Sequence, residues 1–186
     1  MNQSPTNARA EAARAGELAN AGVLEPAEAL AKSLYERIDA QPFFKGFTVA
    51  QLELLAASAL EMNFEAGQTI FAAGSPANRF YLILEGKVAL ETEVAEHHQM
   101  TVQTLWPGDD LGWSWLFPPY SLHFSARAEV PTKTIFFYGT RLREQCEADH
   151  ELGYQMMRRI AEVATKSLQA MQLTVMKIND PDKLDQ

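Results

Sequence analysis

The sequence predicts a mainly β fold of short paired strands with flanking helices and a long C-terminal helix. Three observations lead to this prediction. Apolar residues alternate with polar ones through the middle of the chain, glycines interrupt this alternation, and the regions on either side repeat their apolar residues every three or four positions. A period of two is typical of strands and a period of 3.6 of helices.

The first predicted helix begins near residue 26. Pro26 suits a first helical position, because the fixed φ of proline is already helical and its missing N–H is not needed there. Leu30, Leu34 and Ile38 follow at four-residue spacing, which places them on one face. We therefore expect an amphipathic helix.

A second helix is predicted after an aromatic segment. Thr48 and Gln51 have the spacing of a capping box, in which each side chain satisfies the backbone amide of the other residue. The helix is expected to be buried through Leu52, Leu55 and Leu60. The two helices together are predicted to span 26–60.

Strands are predicted over 60–139, with turns at glycines because glycine reaches positive φ without steric conflict. The apolar run 80–84 ends at Glu85 and Gly86, and a second run follows at 87–90. This arrangement predicts a hairpin between a fully buried strand and a half-exposed one. Two further strands are expected at 124–130 and 134–138.

The last helix is predicted to run from Asp149 for about 30 residues, which is roughly 45 Å at the usual rise per residue, to the break at Asp180 and Pro181. Its apolar positions lie along its whole length. A small domain is too short to cover such a stripe, so we expect a partner along it; the alternative is that the stripe packs on the strands. The positions are Leu152, Met156, Ile160, Val163 and Met171.

At this point the sequence resembles a known family. The segments FEAGQTI (64–70, followed by Gly74), FYLILEGKV (80–88) and PGD (107–109) are similar to those of the effector domain of the catabolite activator family and of other cyclic-nucleotide-binding domains. The resemblance covers about 35–178. It implies a β-roll or jelly roll (a double-stranded β-helix) that forms a homodimer through the long helix.

The segment that corresponds to the family's phosphate-binding cassette departs from the family pattern. In family members a glycine–glutamate pair begins a short helical turn, and an arginine some ten residues later binds the cyclic phosphate together with the amides of the helix end. The carboxylate of the glutamate accepts a hydrogen bond from the ribose hydroxyl. Gly112 is kept here, but Trp113 stands where the glutamate would be, and Leu122, or His123 in a cassette one residue shorter, stands where the arginine would be. Each lost hydrogen bond to a charged phosphate weakens binding by about ten- to a hundredfold, so ordinary cyclic AMP affinity is not expected.

Aromatic residues fill the same segment, and two roles stay open for them. Their rings could stack on a flat ligand, or they could occupy the space that a nucleotide takes in relatives. The rings belong to Trp113, Trp115, Phe117, Tyr120 and Phe124. Ser167, about halfway along the last helix, aligns with positions that contact the nucleobase in relatives.

The expected ligand is a cyclic nucleotide or another small aromatic or anionic molecule, and no cofactor is assigned. The family alignment and the residue types give one set of candidate ligand-binding residues. These are Gly112, Trp113, Ser114, Leu122, His123, Phe124 and Ser167.

Charge and composition disfavour several other functions. The 16 basic and 24 acidic residues give a formal net charge of −8, which repels nucleic acids and anionic membranes. No segment approaches the roughly 18 apolar residues of a membrane span. The single cysteine, Cys146, excludes an internal disulfide and favours the cytoplasm.

Enzymatic activity and DNA reading are not expected either. No nucleophile and base, and no set of metal ligands, has a sequence spacing that would place its side chains at one site. The adjacent His97 and His98 would point to opposite faces of a strand and would therefore make a poor metal chelate. Only eight residues follow Ile178, which leaves no room for the helix-turn-helix domain of transcriptional activators.

The predicted organisation is a flexible tail at 1–24, a cyclic-nucleotide-binding-like domain at 25–178 and a second tail at 179–186. Within the domain, helices occupy 26–60, the β-roll 60–139 and the long helix 149–178. Two functions stay open: a homodimeric regulatory domain that senses a small molecule and signals to a partner protein, or a degenerate roll that serves as a dimerisation or docking module without ligand.

Overall fold

The structure is a computed structural model, and it describes residues 26–95 and 98–179. The predicted tail at 1–24, the residues from 180 onward and His97 lie outside these ranges. The described helices are α1 Pro26–Asp39, α2 Val49–Ala56, α3 Gly139–Ala148 and α4 His150–Asn179. Short 3-10 turns occupy Pro42–Phe44 and Trp113–Leu116.

The strands form two four-stranded antiparallel sheets, which confirms the predicted β-roll. The first sheet has the order β1-β8-β3-β6 and the second has the order β2-β7-β4-β5. Their bounds are β1 Leu60–Phe64, β2 Thr69–Phe71, β3 Arg79–Glu85, β4 Val88–Ala95, β5 His98–Leu105, β6 Asp110–Leu111, β7 Ser125–Ala128 and β8 Thr132–Tyr138.

Strand β3 is buried on both faces, and this explains its uninterrupted apolar sequence. Phe80 and Leu82 point towards the helices, whereas Tyr81 and Ile83 point into the space between the two sheets. All four side chains are at most 3% exposed. The domain therefore has two adjoining cores, one between the first sheet and the helices and one between the sheets.

The predicted hairpin between residues 80–84 and 87–90 is wrong. Strand β3 pairs with β6 and β8, whereas β4 pairs with β5 and β7 in the other sheet. Gly86, with φ of 104°, turns the chain from one sheet to the other, and a Cβ at this position would lie 2.7 Å from the carbonyl oxygen of Pro131. A sharp turn thus changes sheets here instead of pairing two sequential strands.

The capping box of the second helix is confirmed, but its predicted length is wrong. The Oγ1 of Thr48 accepts a hydrogen bond from the amide of Gln51, and the Oε1 of Gln51 accepts one from the amide of Thr48. Leu52 and Leu55 are buried. Leu60 instead begins β1, pairs with Phe136 and is 46% exposed, because α2 ends at Ala56.

The long helix is confirmed as α4, and the short helix α3 before it was not anticipated. Asp149 separates them with extended φ and ψ, and its Oδ1 accepts hydrogen bonds from the amides of Glu151 and Leu152. This is the pattern of an N-cap, which satisfies amides that the helix itself leaves unpaired. The chain therefore changes direction at Asp149 and begins a new helix.

The first part of the predicted stripe of α4 packs on the roll, and the expected partner along α4 stays a prediction. Leu152, Met156 and Ile160 are 0% exposed and belong to the core between the helices and the first sheet. Farther along, Thr174 Oγ1 lies 3.2 Å from the carbonyl oxygen of Val102 on β5. The helix therefore packs on the roll through the first three positions of the stripe, whereas Val163 and Met171 are half-buried.

Candidate functional site

A cavity of about 140 Å³ lies in the roll beneath α4. Its walls come from both sheets, from the segment between β6 and β7, and from α4. Most of its lining is apolar. The lining residues are Phe71, Leu90, Leu105, Asp110, Leu111, Gly112, Trp113, Ser114, Leu122, His123, Phe124, Ser167 and Met171.

All seven candidate ligand-binding residues line this cavity. The structure brings together Gly112, Trp113 and Ser114 at the start of a 3-10 turn, Leu122, His123 and Phe124 just before β7, and Ser167 on α4. A ligand there would contact the roll and the helix at once. Their role in ligand binding stays a prediction.

Gly112 fixes the shape of the segment that carries these residues. Its φ is +86°, and a Cβ at this position would lie 2.7 Å from the carbonyl oxygen of Arg79 on β3. A side chain would clash with the backbone as well as strain it. The segment can therefore approach β3 closely, and Trp113 follows directly at the cavity wall.

The position of the family's arginine is apolar in this structure. Leu122 is 8% exposed and lines the cavity. His123 is exposed at the cavity rim, and its Nδ1 lies 3.0 Å from the carbonyl oxygen of Ser121, which makes Nδ1 the nitrogen that carries the hydrogen. Neither residue places a fixed positive charge where a phosphate would need one.

Arg127, the nearest arginine in the sequence, points away from the cavity. It donates hydrogen bonds from Nε to both carboxylate oxygens of Glu91, at 3.1 and 3.3 Å, and another from Nη2. Its neighbours Ala126 and Ala128 face the core between the sheets. Among the described residues, no arginine or lysine lines the cavity.

The aromatic cluster is divided among three environments and does not plug the cavity. Only Trp113 and Phe124 line it. Trp115 is fully buried in the core against Phe80, with the ring centroids 6.2 Å apart. Phe117 and Tyr120 are exposed. The space behind Trp113 is therefore open.

The turn that carries Trp113 is tied to α3. Nη1 of Arg143 on α3 donates a hydrogen bond of 2.6 Å to the carbonyl oxygen of Trp115, and its guanidinium lies 4.4 Å from the centre of the Tyr120 ring. This cation–π contact and the hydrogen bond fix the segment to the helical layer. A displacement of the segment that carries Trp113 would therefore be transmitted to α3 through Arg143.

Asp110 is a lining residue that sequence analysis missed. Its side chain is 8% exposed, and its Oδ2 is buried with no hydrogen-bond partner. Burial, and then the nearby charge of Asp109, raise the pKa of Asp110 to about 7. Asp109 completes the turn by accepting a hydrogen bond from the Trp106 amide, which leaves the adjacent Asp110 without a role in that turn. This second aspartate of an Asp–Asp pair was the signal in the sequence.

Two antiparallel sheets around a cavity that a long helix also lines define a β-roll domain. The model of the cyclic nucleotide-binding domain matches residues 61–149. A cyclic nucleotide-binding protein of Geobacter metallireducens is 34% identical; the match covers 72% of this chain and 96% of that one, with a TM-score of 0.65. The chain belongs to the cyclic nucleotide-binding domain family.

More distant relatives include transcriptional regulators. The CRP-like cAMP-activated global transcriptional regulator of Mycobacterium tuberculosis is 25% identical over 118 residues, which cover 63% of this chain and 53% of the regulator. The chain thus spans about half the length of the curated relatives it matches. The regulatory subunit of a cAMP-independent protein kinase A from Trypanosoma brucei shares the fold, with 19% identity, a TM-score of 0.63 and coverage of 84% and 54%.

None of the helices in 26–95 and 98–179 combines the length and the apolar composition that crossing a bilayer requires.

Proposed function

We propose that this protein is a non-enzymatic, cytoplasmic regulatory domain that binds a small, mainly apolar molecule in the cavity beneath α4. The observation that carries the proposal is the open cavity, because it unites the seven candidate residues and has walls from both the roll and the helix. A ligand that contacts both can shift the position of α4 relative to the roll.

Cyclic AMP does not suit this cavity in the usual way. Its phosphate would lie against Leu122, at the position of the family's arginine. Its ribose would lie against Trp113, at the position of the carboxylate that accepts a hydrogen bond from the ribose hydroxyl. The one buried acid in the lining, Asp110, would repel a phosphate when ionised. We therefore expect cyclic AMP to bind at least a hundredfold more weakly than in cAMP-responsive members of the family.

The proposed output is a homodimer through α4, on a stripe that shares only Met171 with the one first predicted. The new stripe has alternating spacings of three and four residues, which is the heptad pattern of a coiled coil. Tyr154, Met157 and Leu168 are 62, 53 and 58% exposed, and the small residues Ala161 and Ala164 lie between them. Met171 continues the spacing and also lines the cavity.

This geometry supports coupling between the ligand and the dimer. Met171 belongs to both the cavity wall and the heptad pattern, so a ligand that moves its side chain changes the face that a second copy would contact. We expect the second copy to pack through the stripe from Tyr154 to Leu168, with Ala161 and Ala164 allowing close approach of the two helices.

The proposed ligand binding is tested by isothermal titration calorimetry with cyclic AMP, cyclic GMP, indole and benzyl alcohol. We expect indole and benzyl alcohol to bind and the cyclic nucleotides not to bind at the same concentrations. Ser114→Phe fills the cavity from its wall and should abolish binding, whereas Ser58→Phe, on a half-buried serine that does not line the cavity, should preserve it.

Two results would overturn the proposed sensor. Equal binding to the wild type and Ser114→Phe would place the compounds elsewhere. Absence of binding by every compound would favour the alternative function, in which the roll acts only as a dimerisation or docking module.

A further inference from the structure

The geometry points to a ligand that is apolar in its body and carries one strong hydrogen-bond donor, a protonated amine or a heterocyclic N–H, which Oδ2 of Asp110 accepts. This inference rests on the proposed function, because it names the ligand class of the same cavity. It departs from the expectation of an anionic ligand, since among the residues that the structure describes the only fixed charge in the lining is an acid.

Asp110 is a buried acid with one unsatisfied carboxylate oxygen. Its side chain is 8% exposed, and Oδ2 has no hydrogen-bond partner in the protein. A buried carboxylate oxygen without a partner is strongly unfavourable, and native proteins almost always satisfy such groups. A donor on the ligand would satisfy this oxygen from inside the cavity.

The charges around Asp110 do not supply that partner. Asp109 is a like charge, and Lys166 is a solvent-exposed lysine that acts on Asp110 through its field and is not hydrogen-bonded to it. Asp110 also lines an adjoining cavity with Lys166, Arg159 and Glu162, and there Nη1 of Arg159 donates a hydrogen bond of 2.8 Å to Glu162 rather than to Asp110. His123 lies at the rim and is turned towards Ser121.

The other walls select an apolar body of limited size. Seven lining side chains are aliphatic or phenyl groups, and a cavity of about 140 Å³ is close to the roughly 150 Å³ of an engineered cavity that holds one benzene ring. The walls are Phe71, Leu90, Leu105, Leu111, Leu122 and Phe124, with Met171. A single ring with one short donor arm fits both the volume and the position of the acid.

The same acid disfavours anions. An anionic group beside the ionised carboxylate would place two like charges in an apolar cavity whose described lining contains no arginine or lysine. The cavity should therefore rank ligands of equal size by charge, with a cation above a neutral molecule and a neutral molecule above an anion.

Three probes with the same ring test this ranking by calorimetry at pH 7.5: benzylamine, benzyl alcohol and benzoate. We expect benzylamine to bind at least tenfold more tightly than benzyl alcohol, and benzoate to bind most weakly. Asp110→Asn should weaken benzylamine by at least tenfold and change benzyl alcohol by less than threefold. Asp109→Asn is the matched control, because Asp109 does not line this cavity, and it should leave the ranking unchanged.

The results separate this inference from the proposed function. If benzyl alcohol or benzoate binds as tightly as benzylamine, or if Asp110→Asn leaves benzylamine unaffected, the inference fails while the cavity stands as a ligand site. If none of the three probes binds to the wild type, the inference and the proposed function fail together. Circular dichroism of Asp110→Asn confirms that a loss of binding does not reflect unfolding.

Discussion

The buried acid of the cavity couples the stability of the protein to pH. The folded state raises the pKa of Asp110 from its ordinary value of 3.8 to about 7, chiefly through burial. Between these two values the folded state holds a proton that the unfolded state has lost, so stability falls as pH rises from about 4 to about 7. Below this window both states are protonated and the effect vanishes.

Replacing Asp110 with asparagine is therefore expected to stabilise the protein at high pH only. At pH 8 the free energy of unfolding should rise by up to about 4 kcal/mol, since each unit of pKa difference corresponds to about 1.4 kcal/mol. At pH 4 the two proteins should differ little. Urea unfolding at both pH values measures this, and equal stabilisation at the two would contradict the assignment to Asp110.

The backbone at Gly112 allows a second test at the same scale. Gly112 and Gly74 have similar positive φ values, +86° and +79°, but only at Gly112 would an added Cβ meet a neighbouring backbone atom, at 2.7 Å. We expect Gly74→Ala to cost about 1–2 kcal/mol from backbone strain alone. Gly112→Ala should cost more, because the carbonyl of Arg79 must also move.

Urea unfolding of both glycine variants separates the two contributions. A larger loss in Gly112→Ala than in Gly74→Ala would confirm that the segment is held against β3. An equal loss in both would mean that the close approach at Gly112 makes no contribution of its own.

At the scale of elements, α4 has two neighbouring apolar stripes with different roles. The periodicity of its sequence predicted the helix and its length, but it could not decide which stripe the roll would cover. Met156 is fully buried, whereas Tyr154 and Leu168 of the second stripe are largely exposed. Burial depends on where the sheets and α1 lie, and that information is spread over the whole chain.

Two methionines of α4 measure the packing of this helix. Met156 is fully buried and Met176 is 61% exposed, so they compare the same side chain inside and outside the core. Met156→Ala should lower the free energy of unfolding by about 2–5 kcal/mol. Met176→Ala should stay within about 0.5 kcal/mol of the wild type. Equal losses in thermal or urea unfolding would contradict the packing of α4 on the roll.

Local sequence predicted the capping box at Thr48 and the start of the last helix near Asp149, because each depends on near neighbours. The candidate residues between Gly112 and Phe124 came from the resemblance to the family together with their residue types. Ser167 required the resemblance to the family, since no local pattern connects α4 to the cavity. Strand pairing failed where partners are distant: β3 and β4 adjoin in sequence but belong to different sheets. Asp110 was missed because its burial arises only when β6 meets the rest of the roll.

At the scale of the whole molecule, the two proposals meet at α4. The roll and α4 both line the cavity, and the exposed second stripe of α4 is the face that we propose contacts a second copy. Because Met171 lies at the junction, ligand binding and dimerisation should be energetically coupled, and each should change the affinity of the other by the same factor.

The proposed dimer predicts a difference between two exposed leucines of α4. Leu168 and Leu173 are 58 and 54% exposed, but only Leu168 lies on the heptad stripe. We expect multi-angle light scattering to show a dimer for the wild type and for Leu173→Asp, and a monomer for Leu168→Asp. A wild-type monomer at high micromolar concentration would contradict the dimer.

The most direct test of the cavity as a ligand site is a titration monitored by the methyl signals of methionine. Met171 lines the cavity, and Met176 lies outside it on the same helix. We predict that benzylamine shifts the Met171 methyl resonance in a saturable manner and leaves the Met176 methyl resonance unchanged. Cyclic AMP at the same concentration should shift neither resonance. A saturable shift of Met171 by cyclic AMP, or a shift of Met176 alone by benzylamine, would contradict the account.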